Sequence, residues 1–278
     1  MDGPAGVTQC PIAPGQSFTY DFVVCTSSRR PNICILRTYQ VNQPGTYWYH
    51  SHMKGQYIDG LRGAFIVHDP SAPFKYDEEV YLTMSDWYHA EAPGLINYFE
   101  SQTNEDDGGS EPIPDAALLG DGQNTTINVL PGKTYFFRFI NIGSFVGMYL
   151  SIPGHTLTIV EVDGVYTNPY DVDQLYITVA QRYSVLVKTK SDTSENFPIL
   201  AALDTAMFDH IPPNAQPNVY GYLIYDSSKP LPPVSPLTNL SEFNDMVLVP
   251  QDGMGALRNT DHQILITMDF DDDSGVNR

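Results

Sequence analysis

Two histidines, His50 and His52, stand one residue apart in an aromatic-rich stretch, GTYWYHSHMKGQYIDGLRG, which runs from residue 45 to residue 63. Side chains two positions apart in a β-strand project from the same face, so both imidazoles are expected to point the same way, with Trp48 beside them. Imidazole is a ligand for copper, zinc, iron or nickel. Two ligands do not complete an ordinary metal site, so further ligands must come from elsewhere. The alternative is a pair of hydrogen-bonded histidines on a sheet surface.

Strands are predicted for most of the chain. Short runs rich in β-branched and aromatic residues, such as EVYLTMSDWY, TYFFRFINI and YSVLVKTK, are separated by proline, glycine and aspartate turn signals. This pattern indicates an all-β fold, a sandwich or a barrel. The turn Pro131-Gly132 predicts a hairpin that joins TINVL to TYFFRFI. The polar stretch 97–115 predicts a long loop.

The charge of the chain limits its partners. The sequence has 278 residues and a formal net charge of −19, from 33 acidic and 14 basic residues. Nucleic-acid binding needs a basic surface, so we expect no nucleic-acid partner. No apolar run approaches the roughly 18 residues of a membrane-spanning helix. The first residues have neither the basic head nor the apolar core of a signal peptide, so neither a signal peptide nor a membrane segment is predicted.

The histidine stretch resembles a known metal-binding motif. GTYWYHSH followed by GQYIDGLRGAFIVHD is similar to the second copper motif of multicopper oxidases. DGPAGVTQCPIAPG resembles the stretch just upstream in that family, and VEVDGV and ITVAQRYSVLV resemble its second domain. The resemblance implies cupredoxin-like Greek-key β domains. It also implies an enzyme that takes electrons singly from a substrate at a type 1 copper and passes them to dioxygen at a trinuclear copper cluster, making water.

By this resemblance, His50 and His52 each bind one of the two type 3 coppers of the cluster. Asp2 falls where the family has an acid that helps deliver protons to reduced oxygen, a role that suits a carboxylate near metal ligands. The alternative for Asp2 is a turn aspartate before Gly3. A complete member holds four coppers. The first copper motif and the two motifs of the third domain, which include the type 1 cysteine, are missing from this sequence.

Two further stretches resemble the fungal iron-transport ferroxidase branch of the family. They are SEPIP, residues 110–114, and DTAMFDHIP, residues 204–212. The resemblance assigns Glu111 and Asp209 to the site of the iron substrate, with Asp204 as a helper. Carboxylate oxygens are hard ligands, which stabilise Fe(III) more than Fe(II) and so ease the loss of an electron. The alternative is that these residues are solvated loop acids among the 33 in the chain.

The same resemblance divides the chain. Residues 1–75 correspond to an incomplete first cupredoxin-like domain and residues 76–225 to the second, which is expected to fold alone. Residues 226–260 form a proline-rich linker, and residues 261–278 begin a truncated third domain. HQILITMDF is predicted to be the first strand of that third domain.

An insert interrupts the first domain at residues 24–40. It contains two of the three cysteines, Cys25 and Cys34, and three arginines, unlike its surroundings. Valine codons begin GT and a glutamine codon can be CAG, which are the borders of an intron. We interpret the segment as a retained intron; the alternative is a genuine loop closed by a disulfide. Cys10 is expected to be free or buried. A transcript read across residues 22–42 tests the intron interpretation.

The sequence therefore predicts a fragment of a multicopper oxidase that oxidises Fe(II) to Fe(III) and reduces dioxygen to water in high-affinity iron uptake. The parent protein would act at the cell surface or outside the cell and pass Fe(III) to an iron permease. The fragment alone is expected to be inactive. The alternatives are a laccase-like phenol oxidase fragment and a catalytically inactive β-sandwich binding module.

Overall fold

The computed structural model describes residues 10–13, 15–16, 43–193, 195–255 and 261–267. Strands dominate this part of the chain, which confirms the all-β prediction. The strands are β1 (Gly45–His50), β2 (Arg62–Val67), β3 (Glu78–Trp87), β4 (Ala116–Leu119), β5 (Asn124–Asn128), β6 (Thr134–Asn141), β7 (Met148–Ser151), β8 (Leu157–Val162), β9 (Val165–Val172), β10 (Gln174–Ile177), β11 (Arg182–Lys188), β12 (Phe197–Leu203) and β13 (Asn218–Ile224). The helices are α1 (Ala92–Phe99) and α2 (Gln102–Asp106), with 3₁₀ turns at Thr205–Met207 and Asp245–Val247. None of the described helices is long and apolar enough to cross a membrane.

The strands β1 and β2 form an antiparallel hairpin. Gly45 pairs with Val67 at one end and His50 with Arg62 at the other. Aromatic and β-branched residues fill β1, which favours extended backbone because such side chains fit the pleated surface. The first of the two histidines is thus the last residue of a strand, next to the loop that joins the hairpin.

The strands from β3 to β13 form two mixed sheets. The larger sheet has the spatial order β4-β3-β6-β11-β8-β9, and the smaller has the order β10-β7-β12-β13-β5. Phe137 and Val185 of the larger sheet share one apolar core with Leu150 and Ile199 of the smaller, and all four are fully buried. The neighbours β3 and β6, like β5 and β13, run parallel. Such pairs require connections that cross from one sheet to the other.

The predicted hairpin between TINVL and TYFFRFI is wrong. β5 pairs with β13 in the smaller sheet, whereas β6 lies between β3 and β11 in the larger one. The turn at Pro131-Gly132 therefore carries the chain from one sheet to the other. Every residue of β6 after Thr134 is buried, whereas β5 has alternating exposed positions, so the two strands have different surroundings.

Two other predictions also differ from the structure. The stretch 97–115 is not a continuous loop, because α1 ends and α2 lies within it. A proline opens α1, and Ser101 caps α2 by accepting a hydrogen bond from the backbone amide of Asn104. Residues 261–267, the described part of the predicted third-domain start, form no strand. Ile264 and Leu265 are 82 % and 88 % exposed there. Cys10 is free and exposed.

Candidate metal centre

The two histidines lie side by side at the end of β1. The ring centroids of His50 and His52 are 4.6 Å apart and the planes differ by 13°, so the imidazoles are stacked. Trp48 stacks on the other side of His50, with a centroid distance of 4.5 Å. The predicted arrangement of the three side chains along one face is therefore present. The stack limits rotation of the His50 ring.

The hydrogen bond of His50 leaves one ring nitrogen available. Its Nδ1 lies 3.0 Å from the backbone carbonyl oxygen of Ser51. A carbonyl oxygen can only accept, so in the neutral ring Nδ1 carries the proton and Nε2 keeps its lone pair. A backbone carbonyl bound to the other nitrogen is one of the usual ways in which a metal-ligating histidine is oriented. Nε2 of His50 is therefore the atom able to bind a metal.

Ser51 also shapes the loop after β1. Its hydroxyl donates to Gln56 Oε1 at 2.7 Å and accepts from the backbone amide of Met53 at 3.1 Å. Its backbone amide donates to the carbonyl oxygen of Leu61 at 3.0 Å, which closes the loop across the hairpin. These bonds fix the segment that carries His52.

The donor set suits copper but is incomplete in the described residues. Two neutral imidazoles are good ligands for copper, which prefers nitrogen to carboxylate donors. No group of three or more histidines, cysteines, aspartates or glutamates that could hold a metal occurs within the described ranges. Asp2 lies outside the described residues. The two histidines could therefore form only part of a metal site.

The predicted iron residues Glu111 and Asp209 lie on two loops that meet. The hydroxyl of Ser110 donates a hydrogen bond to Oδ2 of Asp209, across 99 residues of sequence. Glu111 follows Ser110 directly, and both acids are exposed. The structure thus brings together two acidic segments that are far apart in the sequence.

Glu111 lies at the edge of an apolar cavity of about 250 Å³. Besides Glu111, the cavity is lined by residues of α1 and of four loops, namely Ile58, Tyr88, Ala92, Leu95, Ile96, Phe99, Pro112, Ser144 and Phe145. The hydroxyl of Tyr88 donates to the carbonyl oxygen of Pro112 at 3.0 Å and so holds the loop of Glu111. Burial, and then the negative charge of Asp86, raise the pKa of Tyr88 above its ordinary value, so the phenol remains a donor.

Asp204 has a different environment from the other two acids. It is 7 % exposed. Its Oδ2 accepts a hydrogen bond from the hydroxyl of Tyr176 at 2.9 Å, and its Oδ1 accepts from the backbone amide of Ala206 at 3.1 Å. Asp204 therefore caps the 3₁₀ turn that leads to Asp209. Both of its oxygens have partners within the chain.

One short segment joins the histidine pair to the cavity. Tyr57 lies 5.1 Å from the ring of His50, centroid to centroid, and the next residue, Ile58, lines the cavity. Asp59 accepts a hydrogen bond from the backbone amide of Ala92 at the start of α1, at 2.8 Å. The candidate copper ligands and the cavity beside Glu111 therefore lie on two sides of residues 57–59.

Family models match most of the chain. A multicopper oxidase model matches residues 78–228, and a second multicopper oxidase model matches residues 1–29 and 30–72. The iron transport multicopper oxidase FET3 of Gibberella zeae is 49 % identical over 273 residues, which are 98 % of this chain and 41 % of that protein. The FET3 protein of Saccharomyces cerevisiae is 41 % identical over all of this chain and 41 % of its own length.

The chain belongs to the multicopper oxidase family. The predicted family resemblance is confirmed, and copper is the cofactor that the family implies. This multicopper oxidase chain spans about two fifths of the length of the curated relatives it matches.

Solved structures agree with the cupredoxin-like fold predicted for this multicopper oxidase chain. The crystal structure of Fet3p, a multicopper oxidase that functions in iron import, matches with a TM-score of 0.76 and 42 % identity, over 80 % of this chain and 42 % of that one. The laccase of Botrytis aclada matches with a TM-score of 0.72 and 31 % identity, over 90 % of this chain and 45 % of that one.

Sequence reasoning missed several residues around the candidate site of this multicopper oxidase chain. Ser110 directly precedes Glu111 in SEPIP. A serine hydroxyl next to a predicted iron-binding acid was the sequence feature that could have indicated its role. Tyr88 and Phe145 line the cavity, yet their aromatic side chains resemble those of any strand or core position. Only the three-dimensional packing distinguishes them.

Proposed function

We propose that the complete protein oxidises Fe(II) to Fe(III) with dioxygen as the electron acceptor, in high-affinity iron uptake. The observation that carries the proposal is the contact between the loops of Glu111 and Asp209 through Ser110, in a chain 41 to 49 % identical to named iron transport oxidases. Two exposed carboxylates on neighbouring loops could bind an iron ion that arrives from solvent. Hard oxygen ligands favour Fe(III), which lowers the reduction potential of the bound iron and eases loss of its electron.

The copper site would use His50 and His52. Each imidazole would bind copper through the nitrogen that carries no proton, and the carbonyl oxygen of Ser51 would keep the His50 ring oriented. When bound, copper supplies the one-electron redox chemistry and the reduction of dioxygen. Asp2 is proposed to deliver protons near the cluster, as the family resemblance implies. Asp204 is proposed to act indirectly, because it holds the turn before Asp209.

The partners and location of the complete protein are also proposals. A protein that makes Fe(III) for uptake must hand it to a carrier before the ion hydrolyses, so an iron permease is the proposed partner. Action at the cell surface or outside the cell fits this role. The acidic charge of −19 would attract cations and disfavour nucleic acid.

The test replaces Glu111 and Asp209 by alanine, singly, in the complete protein. We expect loss of most Fe(II) oxidation and unchanged phenol oxidation, because the acids contact iron and not the copper centre. Equal loss of both activities would show that the acids support the fold. Unchanged Fe(II) oxidation would contradict the proposal.

A laccase-like phenol oxidase is the second candidate function. The apolar cavity beside Glu111 and the similarity to the Botrytis aclada laccase favour it. Under this alternative, phenol oxidation exceeds Fe(II) oxidation and both alanine variants oxidise Fe(II) no worse than the parent. A catalytically inactive binding module would instead purify without copper even when copper is supplied in excess.

A further inference from the structure

Thr46, four residues before His50 in β1, is enclosed by a buried polar cluster. The cluster consists of Thr46, Arg138, Glu161 and Ser184, which are 0 %, 3 %, 0 % and 0 % exposed. We call it the Thr46 cluster. Arg138 belongs to β6, Glu161 to β8 and Ser184 to β11, so three strands of the larger sheet meet one residue of the hairpin.

Both backbone polar groups of Thr46 bind charged side chains. Its amide donates to Oε1 of Glu161 at 2.6 Å. Its carbonyl oxygen accepts from Nε of Arg182 at 2.8 Å. Hydrogen bonds to charged groups are roughly twice as strong as neutral ones. The backbone of β1 is therefore attached to the larger sheet through both the amide and the carbonyl oxygen of Thr46.

The hydroxyl of Thr46 completes the cluster. Its Oγ1 accepts from Nη1 of Arg138 at 2.7 Å and lies 3.2 Å from Oε2 of Glu161. It is also 2.9 Å from the hydroxyl of Ser184. Arg138 and Glu161 form an ion pair at 3.0 Å in the same place. Sliding of β1 along the sheet would remove the hydrogen bonds that Thr46 makes with Arg138 and Glu161. Buried charged groups that lose hydrogen-bond partners are costly, so such sliding is disfavoured.

This docking supports the hairpin. Among the described residues, β1 pairs only with β2. An isolated two-stranded hairpin is marginally stable in water. Since strands rise about 3.3 Å per residue, the cluster acts roughly 13 Å from His50 along a hydrogen-bonded strand. Loss of the attachment would therefore loosen the strand end that carries the histidines.

We propose that the Thr46 cluster is a positioning element for His50 and His52. It holds the hairpin against the larger sheet and so keeps the two imidazoles ordered for copper. The proposal rests on the proposed copper-binding role of the histidines. Thr46 and Glu161 are positioning residues, and neither touches the metal.

The experiment uses the 278-residue chain with Trp87→Phe, so that Trp48 is the remaining tryptophan. Copper(II) is titrated, and quenching of Trp48, which stacks on His50, gives the apparent Kd. Hydrogen exchange of the amides in β1 and in β6 is measured on the same samples. The variants are Thr46→Val and Glu161→Gln.

Glu79→Gln is the matched control. Glu79 also pairs with Arg138, through Nε at 2.8 Å, but its other partners, Tyr76 and His68, lie outside β1. We expect both test variants to raise the Kd about tenfold, the scale seen when outer residues that orient metal ligands are changed. The amides of β1 should exchange about tenfold faster, by the same loss of attachment, and those of β6 should not change. The control should change neither quantity more than about twofold, because the amide oxygen of glutamine can still accept from Arg138 and the other partners of Glu79 lie outside β1.

Three results would overturn the proposal. One is a Kd within twofold of the parent in both variants. Another is faster exchange in β1 with an unchanged Kd, which would make the cluster a docking contact without a positioning role. The third is equal acceleration in β1 and β6, which indicates general loss of stability. If Glu161→Gln does not fold, Thr46→Val decides, because it leaves the pair of Arg138 and Glu161 intact.

A separate variant tests the proposed copper-binding role of the histidines. His50→Ala removes one proposed ligand and should abolish the quenching of Trp48. If copper quenches this variant like the parent, the copper site is elsewhere and the proposed metal role of the histidines fails. The exchange of β1 amides would still show whether the cluster holds the histidine strand in place.

Discussion

Asp86 and Ser144 lie 58 residues apart in the sequence and are joined by three hydrogen bonds. The amide of Ser144 donates to both carboxylate oxygens, at 2.9 and 3.1 Å, and its hydroxyl donates to one of them at 3.1 Å. Asp86 also accepts from the amides of Phe145 and Val146. One buried carboxylate therefore fixes the segment 144–146, and Phe145 of that segment lines the cavity beside Glu111.

We predict that Asp86→Asn lowers the free energy of unfolding by about 2–4 kcal/mol, because an amide nitrogen then faces backbone donors and leaves them unpaired. Urea denaturation measures the change. Asp115→Asn is the control: Asp115 is exposed and accepts from the amide of His89, so its loss should cost less than about 1 kcal/mol. Equal losses of stability in the two variants would show that the buried hydrogen bonds of Asp86 stabilise the fold no more than the exposed one of Asp115.

Gly45 occupies a position that only glycine suits. Its φ is +142°, and a Cβ there would lie 2.8 Å from Cα of Gly164 and 3.1 Å from Oε1 of Glu161. We predict that Gly45→Ala lowers the free energy of unfolding by about 1–3 kcal/mol, through backbone strain and displacement of the hairpin. Thermal or urea unfolding would measure this change in the free energy of unfolding.

Gly94→Ala provides the control for this substitution. Gly94 lies in α1, and nothing is within 4 Å of a Cβ placed there. Alanine favours a helix over glycine by about 1 kcal/mol, so this variant should be as stable as the parent or more stable. A Gly45→Ala protein that matches it in stability would contradict the close approach at Gly45.

The strands could be predicted because their pattern is local, whereas their partners could not. Alternation and turn residues identify β5 and β6 within a few positions. The turn between them predicted a hairpin, but β5 belongs to the edge of one sheet and β6 to the middle of the other. A continuous buried run such as β6 indicates cover on both faces, which argues against pairing with the half-exposed β5.

In the candidate site, too, sequence spacing predicts contacts within one segment but not contacts between distant segments. His50 and His52 share a face because two-residue spacing dictates it, and the stacked rings agree. The contact of Ser110 with Asp209 joins segments 99 residues apart, so it depends on the order of strands in the sheets. Asp204 likewise accepts a hydrogen bond from Tyr176 of β10, 28 residues earlier in the sequence. No spacing rule within one segment predicts either contact.

His155 is predicted to make stability depend on pH. It is 7 % exposed, and burial lowers its pKa below the ordinary value, helped by the positive charge of Lys190. Its Nδ1 lies 3.3 Å from the carbonyl oxygen of Pro153, and Nε2 lies 2.6 Å from the hydroxyl of Tyr225. Neutral histidine satisfies both, because Nδ1–H donates to the carbonyl and Nε2 accepts from the phenol.

The direction in which stability changes with pH follows from proton uptake by the unfolded chain. Above a pH of about 6.5, His155 is neutral in the folded and unfolded chains and adds no pH dependence. As the pH falls below that value, the unfolded chain binds the proton first, so stability decreases until the folded pKa is reached. Urea midpoints between pH 7.5 and 5 measure this. His155→Gln should show a smaller decrease over the same range, and an identical decrease would exclude His155 as the cause.

Ser110→Ala is predicted to affect Fe(II) oxidation selectively. The hydroxyl of Ser110 orients the carboxylate of Asp209, and one such hydrogen bond contributes about 0.5–1.5 kcal/mol. In the complete protein we expect the KM for Fe(II) to rise about 2- to 12-fold, which corresponds to that free energy, with phenol oxidation unchanged. Ser228→Ala is the control, because Ser228 donates to Asp226 at 2.6 Å in an exposed turn that contacts neither acid. If both serine variants leave the KM for Fe(II) unchanged, Asp209 does not need Ser110 to bind iron. The contact between the two loops then has no role in Fe(II) oxidation.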